Sequence, residues 1–525
     1  MKNKANARLT PDLAAWHFLS RTTFGPRPQD VERAKQVGIK RVLDEQLHPE
    51  RIEDSALDQK IASLPTLAMS PAELMEDFPD PKPRNNPEAK QEGMRVPPSK
   101  APNQDGAVKP AKPEMTSAME ADGPRRVIME LGREQLWRAA YSQRQLQEVM
   151  VQFWMNHFNV YAYKGVDKWL LTSFEHDTIR PHALGNFSQL LMATAQSPAM
   201  LFYLDNWLSV APNAAARAKG QRPQTDRRGL NENYARELME LHTLGVDGGY
   251  AQQDVREVAR CFTGWTIDGP RQGGGFIFRP RLHDGDEKTV LGRKIQGPGG
   301  VEDGKEVLQL LAAHPSTAHF VSLKLCRHIV ADDPPASIVD HTARTFTKSH
   351  GDIRAVLRTI LTSREFNSQA AFRTKVKSPF ELVASSLRTL DAETDGGEPL
   401  MGQIVRMGQP LFQYQAPTGY PDRAGNWINS GTLLARMNFS MALAANRIRG
   451  TQLDLQALTP SDDPQAVWDH LVQRTLGGAV SPETRTAAMK SFADLGSVGE
   501  GNPRAFPKTA LMAALLLGSP DFQRR

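Results

Sequence analysis

Cysteine is nearly absent: Cys261 and Cys326 are the only two in 525 residues. That excludes a disulfide-stapled scaffold and a cysteine-rich zinc site. No run of about 18 uninterrupted apolar residues occurs, so no membrane-spanning helix is expected. The opening stretch, MKNKANARLTPDLAAWHF, holds basic residues but no apolar segment of the kind a secretory signal needs. It predicts a cytoplasmic protein, the alternative being export together with a partner. Glycine and proline, 39 and 37 residues, are too few for a collagen-like or wholly disordered chain. HExxH and G-x-S-x-G are missing, which removes a thermolysin-like zinc site and a nucleophile elbow. Gly273-Gly274-Gly275 lacks the Lys-Ser/Thr that a phosphate-binding loop requires.

What is present is helical periodicity. Thr10-Pro11-Asp12 reads as a helix start with proline at the first helical position. Leu146, Met150, Phe153 and His157 recur at i, i+4, i+7 and i+11, one stripe of an amphipathic helix. A helix over 166–180 must end or kink at Pro181. Leu230, Tyr234, Leu238 and Leu241 predict a helix that ends at Gly245. The period changes only between Gly264 and Gly300, where GGGFIFRP and KTVLGRKIQG read as two short strands bracketing an Asp284-Gly285 turn. The expected fold is mostly α, a compact multi-helix protein with one small β-hairpin excursion near 270–298. Composition divides the chain into four parts. Residues 1–78 form an N-terminal helical segment, and 79–123 a Pro-rich insert that cannot bury enough surface to offset its ordering entropy. Residues 124–390 form a helical core, and 391–525 a helical region packing on that core.

In the run NENYARELMELHTLG (231–245), Asn233, Glu237 and Glu240 share one stripe of a helical wheel beside Tyr234, Leu238 and Leu241. Two carboxylates at i, i+3 repel, so partial burial calls for a cation between them. Two kinds of cation answer: a divalent metal ion, or an arginine from Arg236, Arg180, Arg256 and Arg260. His283-Asp284 lies in a glycine-rich turn, where functional residues collect. The metal set is therefore Asn233, Glu237, Glu240, His283 and Asp284, and the catalytic set Glu237, Glu240 and His157. Each has a plainer reading: His157 as a hydrogen-bonded core residue, the carboxylates as arginine partners. His182 suits a cap or turn, Asp205-Asn206 a C-terminal turn, and both cysteines an inert core. Trp154, Trp169, Trp207 and Trp265 suit core anchors.

The formal charge is +5, and the stretch 211–230 carries Arg217, Lys219, Arg222, Arg227 and Arg228 against only Asp226. No aromatic is interleaved for base stacking, so a nucleic-acid partner is not expected. The segment instead suits attraction of an anionic substrate. Arg227, Arg228 and Arg180 are the expected substrate contacts.

Several stretches resemble one family. They are the 231–245 run, DVREVAR (254–260) with Thr263-Gly264-Trp265, FWMNHF (153–158), IRPHALG (179–185), Ser197 to Met200, Tyr203 to Asn206, and His283-Asp284 through Lys288 to Leu291-Gly292. Shorter matches are Gly408-Gln409-Pro410, Trp427 and Arg436. Together they are similar to the bacterial domain-of-unknown-function family numbered 1800, over most of the chain outside the Pro-rich insert. The resemblance implies a helical protein with no settled activity. It also implies a neighbour: a sulfatase-like protein of the unknown-function family numbered 1501. Two functions remain open. One is metal-assisted hydrolysis or group transfer on an anionic substrate; the other is a non-catalytic scaffold or accessory protein for that partner.

Overall fold

Proline marks the helix starts. Pro11, Pro28, Pro124, Pro315 and Pro379 each stand in a first turn, where the missing N–H has no intrahelical acceptor to lose. Ser378 adds a capping box: its hydroxyl accepts from the Glu381 backbone N–H, and Glu381 reaches back to the Ser378 N–H at 2.8 Å. The computed structural model describes residues 7–81, 123–211, 229–296, 299–498 and 507–525. Of the Pro-rich insert expected over 79–123 to stay disordered, residues 82–122 lie outside the described residues, as do Arg227 and Arg228.

The architecture is mostly α, as the periodicity predicts. The 146–157 stripe is buried on the helix Gln145–His157, with Leu146, Met150, Phe153 and His157 all at most 8% exposed. The helix predicted to stop at Pro181 does change there, but in three stages. It is α over Asp167–Ser173, π over Phe174–Ile179 and 3-10 over Arg180–His182. A second π turn, Leu238–Thr243, follows the α segment Asn233–Glu237. There the Leu244 N–H donates five residues back, to Met239 O at 2.8 Å. π turns are rare and concentrate at functional sites.

The β content differs from one hairpin. Among the described residues there are three two-stranded antiparallel sheets. Phe276–Phe278 pairs backward, across the glycine run, with Trp265–Ile267. Thr289–Val290 pairs with Arg293–Lys294 around Leu291 (φ 51°) and Gly292 (φ 72°), the two positive-φ residues of a tight hairpin turn. Asp284-Gly285 is therefore a link between two sheets, not the turn of one. Glu393–Thr394 pairs with Thr451–Gln452 far along the chain. The glycine run serves close approach: a Cβ on Gly273 would lie 2.4 Å from the Ala72 nitrogen.

The buried apolar side chains form two main clusters. One runs from Ala15 to Ala371 and contains Trp154, Phe158, Phe187 and Trp265. The other joins Phe24 to residues 380–522 and contains Phe380, Phe439 and Trp468. The helix Pro124–Tyr141 serves both, giving Ile128 and Leu131 to the first and Leu136, Ala139 and Ala140 to the second. Each fully buried Leu or Phe is worth about 1.5–3 kcal/mol of transfer free energy. Burial of the first turns of one helix in one cluster and of its last turns in the other therefore ties the clusters together. Among the described residues no helix is long and apolar enough to cross a membrane.

Candidate functional site

At the seam between the clusters lies a cavity of about 350 Å³, lined from the first by Phe153 and Met155 and from the second by Phe24 and Phe380. Its outer wall is the irregular segment 408–427. Two carboxamides of the Gln145–His157 end hold that wall by its backbone. Asn156 donates to Tyr420 O at 2.8 Å and accepts from Tyr420 N–H at 2.7 Å. Asn159 donates to Tyr414 O at 3.0 Å and Ala416 O at 2.9 Å. Gly419 (φ 68°) is required at the contact, because a Cβ there would stand 2.1 Å from Asn156 O. Gln409 accepts from Phe380 N–H at 2.8 Å, fixing the other end of the segment.

The polar floor comes from the last two turns of the helix Pro315–Ile329. Lys324, Arg327 and His328 all line the cavity. His328 Nδ1 lies 2.9 Å from Asp422 Oδ2. The buried Lys375 ammonium donates to the other Asp422 oxygen at 2.8 Å and to Asp332 at 2.7 Å. Burial alone would raise the Asp422 carboxyl, but His328 and Lys375 outweigh it and hold the group well below the usual carboxylate range. An ionised Asp422 needs a donor, so Nδ1 carries a proton, and Nε2 makes no hydrogen bond among the described residues. Among the described residues Lys324 has no carboxylate partner in an ion pair. Burial pushes its ammonium down to about 8, although Asp422 opposes the shift.

His157 also lines the cavity, and the π turn brings His242 to it. His157 Nε2 lies 3.1 Å from His242 O, and the rings stand 6.2 Å apart. Burial, then the Lys324 charge, pushes both imidazoles far down; His242 falls to about 3. Both are neutral near pH 7. Among the described residues His157 Nδ1 and His242 Nε2 have no hydrogen-bond partner.

The other sequence-selected residues are distributed among separate places. Asn233 and Glu237 line a second, more open cleft of about 630 Å³ with Tyr203 and Lys164. Burial, then Glu240, pushes the Glu237 carboxyl up. Glu240 accepts from the Tyr250 hydroxyl at 3.3 Å. The arginines expected beside these carboxylates form their ion pairs with others, although the Arg236 charge still opposes the rise of Glu237. Arg236 and Arg256 pair with Glu232, at 3.6 and 3.2 Å. Arg180 lies between Glu148 and Glu175, at 2.8 and 2.7 Å. Arg260 grips Asp284 with two nitrogens, at 2.8 and 3.1 Å. His283 lies 2.8 Å from Thr263 O and 3.1 Å from Asp303, which Lys288 also holds at 2.7 Å. His182 Nδ1 bonds Thr178 O at 2.9 Å, a turn role, and Cys261, Cys326 and Trp265 are buried core.

Among the described residues, Glu134, Glu175 and His176 are the one group whose ligand atoms lie close enough together to hold a metal ion. Every carboxylate oxygen there is already taken. Glu134 accepts from Arg138 and His176, at 2.8 and 2.7 Å; Glu175 accepts from Arg180 and Gln135, at 2.7 and 2.8 Å. The groups that neutralise this cluster are His176, Arg138 and Arg180.

The profile of a family described as protein of unknown function (DUF1800) matches residues 17–524. The chain belongs to that family. No curated protein and no solved structure in the comparison matches this DUF1800 member. The matched span includes the whole seam cavity, its wall and the 231–245 run. Sequence reading of this family member reached His157 and the Gly408-Gln409-Pro410 end of the wall. It missed Lys324, His328 and Asp422. His328 and Asp422 are 94 positions apart, with no motif to join them. The usable signal was Lys324-Arg327-His328, three basic residues at helical spacing in the last two turns of one helix.

Proposed function

We propose that the protein is an enzyme that hydrolyses, or transfers a group from, an anionic substrate bound in the seam cavity. The observation that carries this reading is the His328–Asp422 pair beside two cations, Lys324 and Arg327, in one cavity. A histidine oriented by a carboxylate, with its far nitrogen unengaged, is the arrangement of a general base. Asp422 holds the Nδ1 proton and stabilises the imidazolium that forms when Nε2 accepts one from water or an acceptor hydroxyl. Lys324 and Arg327 attract the substrate anion and offset negative charge that develops during transfer. A metal-assisted version would need Asn233, Glu237, Glu240, His283 and Asp284 around one ion. Their partners differ, and Arg260 occupies Asp284. The proposal therefore runs without an ion.

The test is turnover of p-nitrophenyl phosphate, sulfate and acetate by wild type, His328→Asn and Asp422→Asn, with chelator and then with added Mg, Mn, Ca or Zn. General-base catalysis predicts a loss of at least about a hundredfold for His328→Asn, with wild-type turnover surviving chelator. Equal turnover in wild type and His328→Asn sinks the reading.

A second reading is an accessory protein for a sulfatase-like partner of the 1501 family. What favours it is an apolar strip on the helix Ser430–Ala444: Leu433, Leu434 and Met437 are 41%, 60% and 57% exposed. Large exposed apolar patches mark interaction sites. Co-elution of the purified pair, lost in Leu434→Lys with Met437→Lys, would support this reading over catalysis.

A further inference from the structure

Among the described residues, every buried or half-buried lysine has a carboxylate partner except Lys324 and Lys377. Lys377 sits 3.6 Å over the Phe522 ring and lines a cavity of about 20 Å³. That is room for about one water. Lys324 opens on the 350 Å³ cavity instead. Its only cation–aromatic neighbour is Phe320, at 5.6 Å. His328 lies four residues on, on the same helix face and lining the same cavity. Three features thus coincide: an amine without a counter-ion, a base one turn away, and room for a substrate. Desolvation and an adjacent cation, here Arg327, are the two devices that make a lysine nucleophilic.

We propose that Lys324 forms an imine with its substrate, and that the cavity takes a carbonyl compound bearing a phosphate or carboxylate group. This rests on the reading of the cavity as an anion-binding active site, and it narrows the reaction to the transfer arm. The Lys324 nitrogen adds to the carbonyl carbon, forming a C–N bond while the oxygen becomes a hydroxyl. His328 Nε2 takes a proton from the nitrogen and returns it to that hydroxyl. Water then leaves, carrying the carbonyl oxygen and both amine protons, with no change of oxidation state. The imine draws electrons from the adjacent bond, which is what allows a fragment to be passed on. Arg327 holds the anionic end. The charged and titratable groups facing the amine are Arg327 and His328 on its own helix, Asp422 on the wall, His157, and His242.

Near pH 7 a lysine with a pKa of about 8 has roughly two hundred times the free-amine fraction of an ordinary lysine near 10.4. The experiment incubates the full chain with pyridoxal 5′-phosphate, an aldehyde with a phosphate, reduces with borohydride, and maps adducts by peptide mass spectrometry. The expected result is an adduct on Lys324 in at least about tenfold excess over any other lysine, with a midpoint near pH 8. Pyridoxal without its phosphate should label Lys324 less, inorganic phosphate should protect it, and His328→Asn should slow labelling. Adducts spread over exposed lysines such as Lys40 and Lys348, without excess at Lys324, overturn the proposal. This measurement needs no folded variant; Lys324→Arg serves only to confirm the site. The two readings fail distinguishably. Stabilisation by inorganic phosphate without Lys324 labelling overturns the imine and leaves the anion site standing. Absence of both overturns both.

Discussion

Two polar regions of this molecule have similar inventories and opposite states. Around Glu134 and Glu175, every carboxylate oxygen accepts from an arginine, a histidine or an amide. Around Lys324 and His328 the groups are half-buried; among the described residues the lysine has no counter-ion and the histidine uses one nitrogen. Polar density alone therefore does not identify a site. A saturated network contributes to the fold; an unsaturated one keeps bonding capacity for something that binds. The cluster Arg260, Asp284, His283, Asp303 and Lys288 belongs with the first kind.

The largest effect expected from that comparison is on the saturated side. Glu134→Ala would leave Arg138 and His176 facing a vacancy, and Lys288→Met would strip Asp303 of its buried cation. Denaturant unfolding should report losses of about 3–5 kcal/mol for each, the usual consequence of unpairing a buried charge. A loss below 1 kcal/mol in both would break the distinction. Asp284→Asn comes next, because Arg260 keeps one acceptor while losing charge. About 1.5–3 kcal/mol is expected, with no dependence on added metal.

A pH comparison separates the regions by sign. Burial alone would lower the His176 imidazole, but its bond to Glu134 prevails and raises it. Its contribution is fully present below the unfolded value, near 6.5, and is lost as pH rises through the folded one. His157 behaves oppositely, since burial lowers it. Its contribution is present above about 6.5 and disappears on acidification, when the unfolded chain takes up a proton the folded one refuses. Melting curves across pH 5–8 should thus diverge: His176→Gln loses most relative to wild type at the acid end, His157→Gln at the neutral end. Curves that shift in parallel would remove the contrast.

The smallest effect is the most diagnostic. Lys324→Met removes a half-buried cation that nothing pairs, so stability should stay within about 1 kcal/mol of wild type or rise. Stabilisation by phosphate, which follows the logarithm of concentration over the dissociation constant, should weaken in the same variant, where Arg327 remains to hold the anion. A destabilised Lys324→Met would show that the cation has a structural partner, and the cavity would join the saturated class.

Sequence alone determined the helices, because period and punctuation are local. Proline at the first turn, the apolar stripe of 146–157 and the Ser378 cap each act within a few residues of themselves. It also determined the mostly helical class and the membership carried by the 231–245 run. Tertiary structure decided the rest. A helical wheel drawn at 3.6 residues per turn placed Glu240 beside Glu237, and Glu240 does raise that carboxyl, but the π turn over Leu238–Thr243 and the Tyr250 hydroxyl that Glu240 meets belong to the tertiary structure. The strand Phe276–Phe278 chose Trp265–Ile267 over its expected partner, since pairing depends on where two segments lie in space. Which arginine serves which carboxylate is likewise a matter of distance between elements. His328 and Asp422 became a pair only when the helix Pro315–Ile329 and the 408–427 wall were brought against one seam. No local pattern encodes that meeting, because its two halves share no period, no turn and no neighbour along the chain.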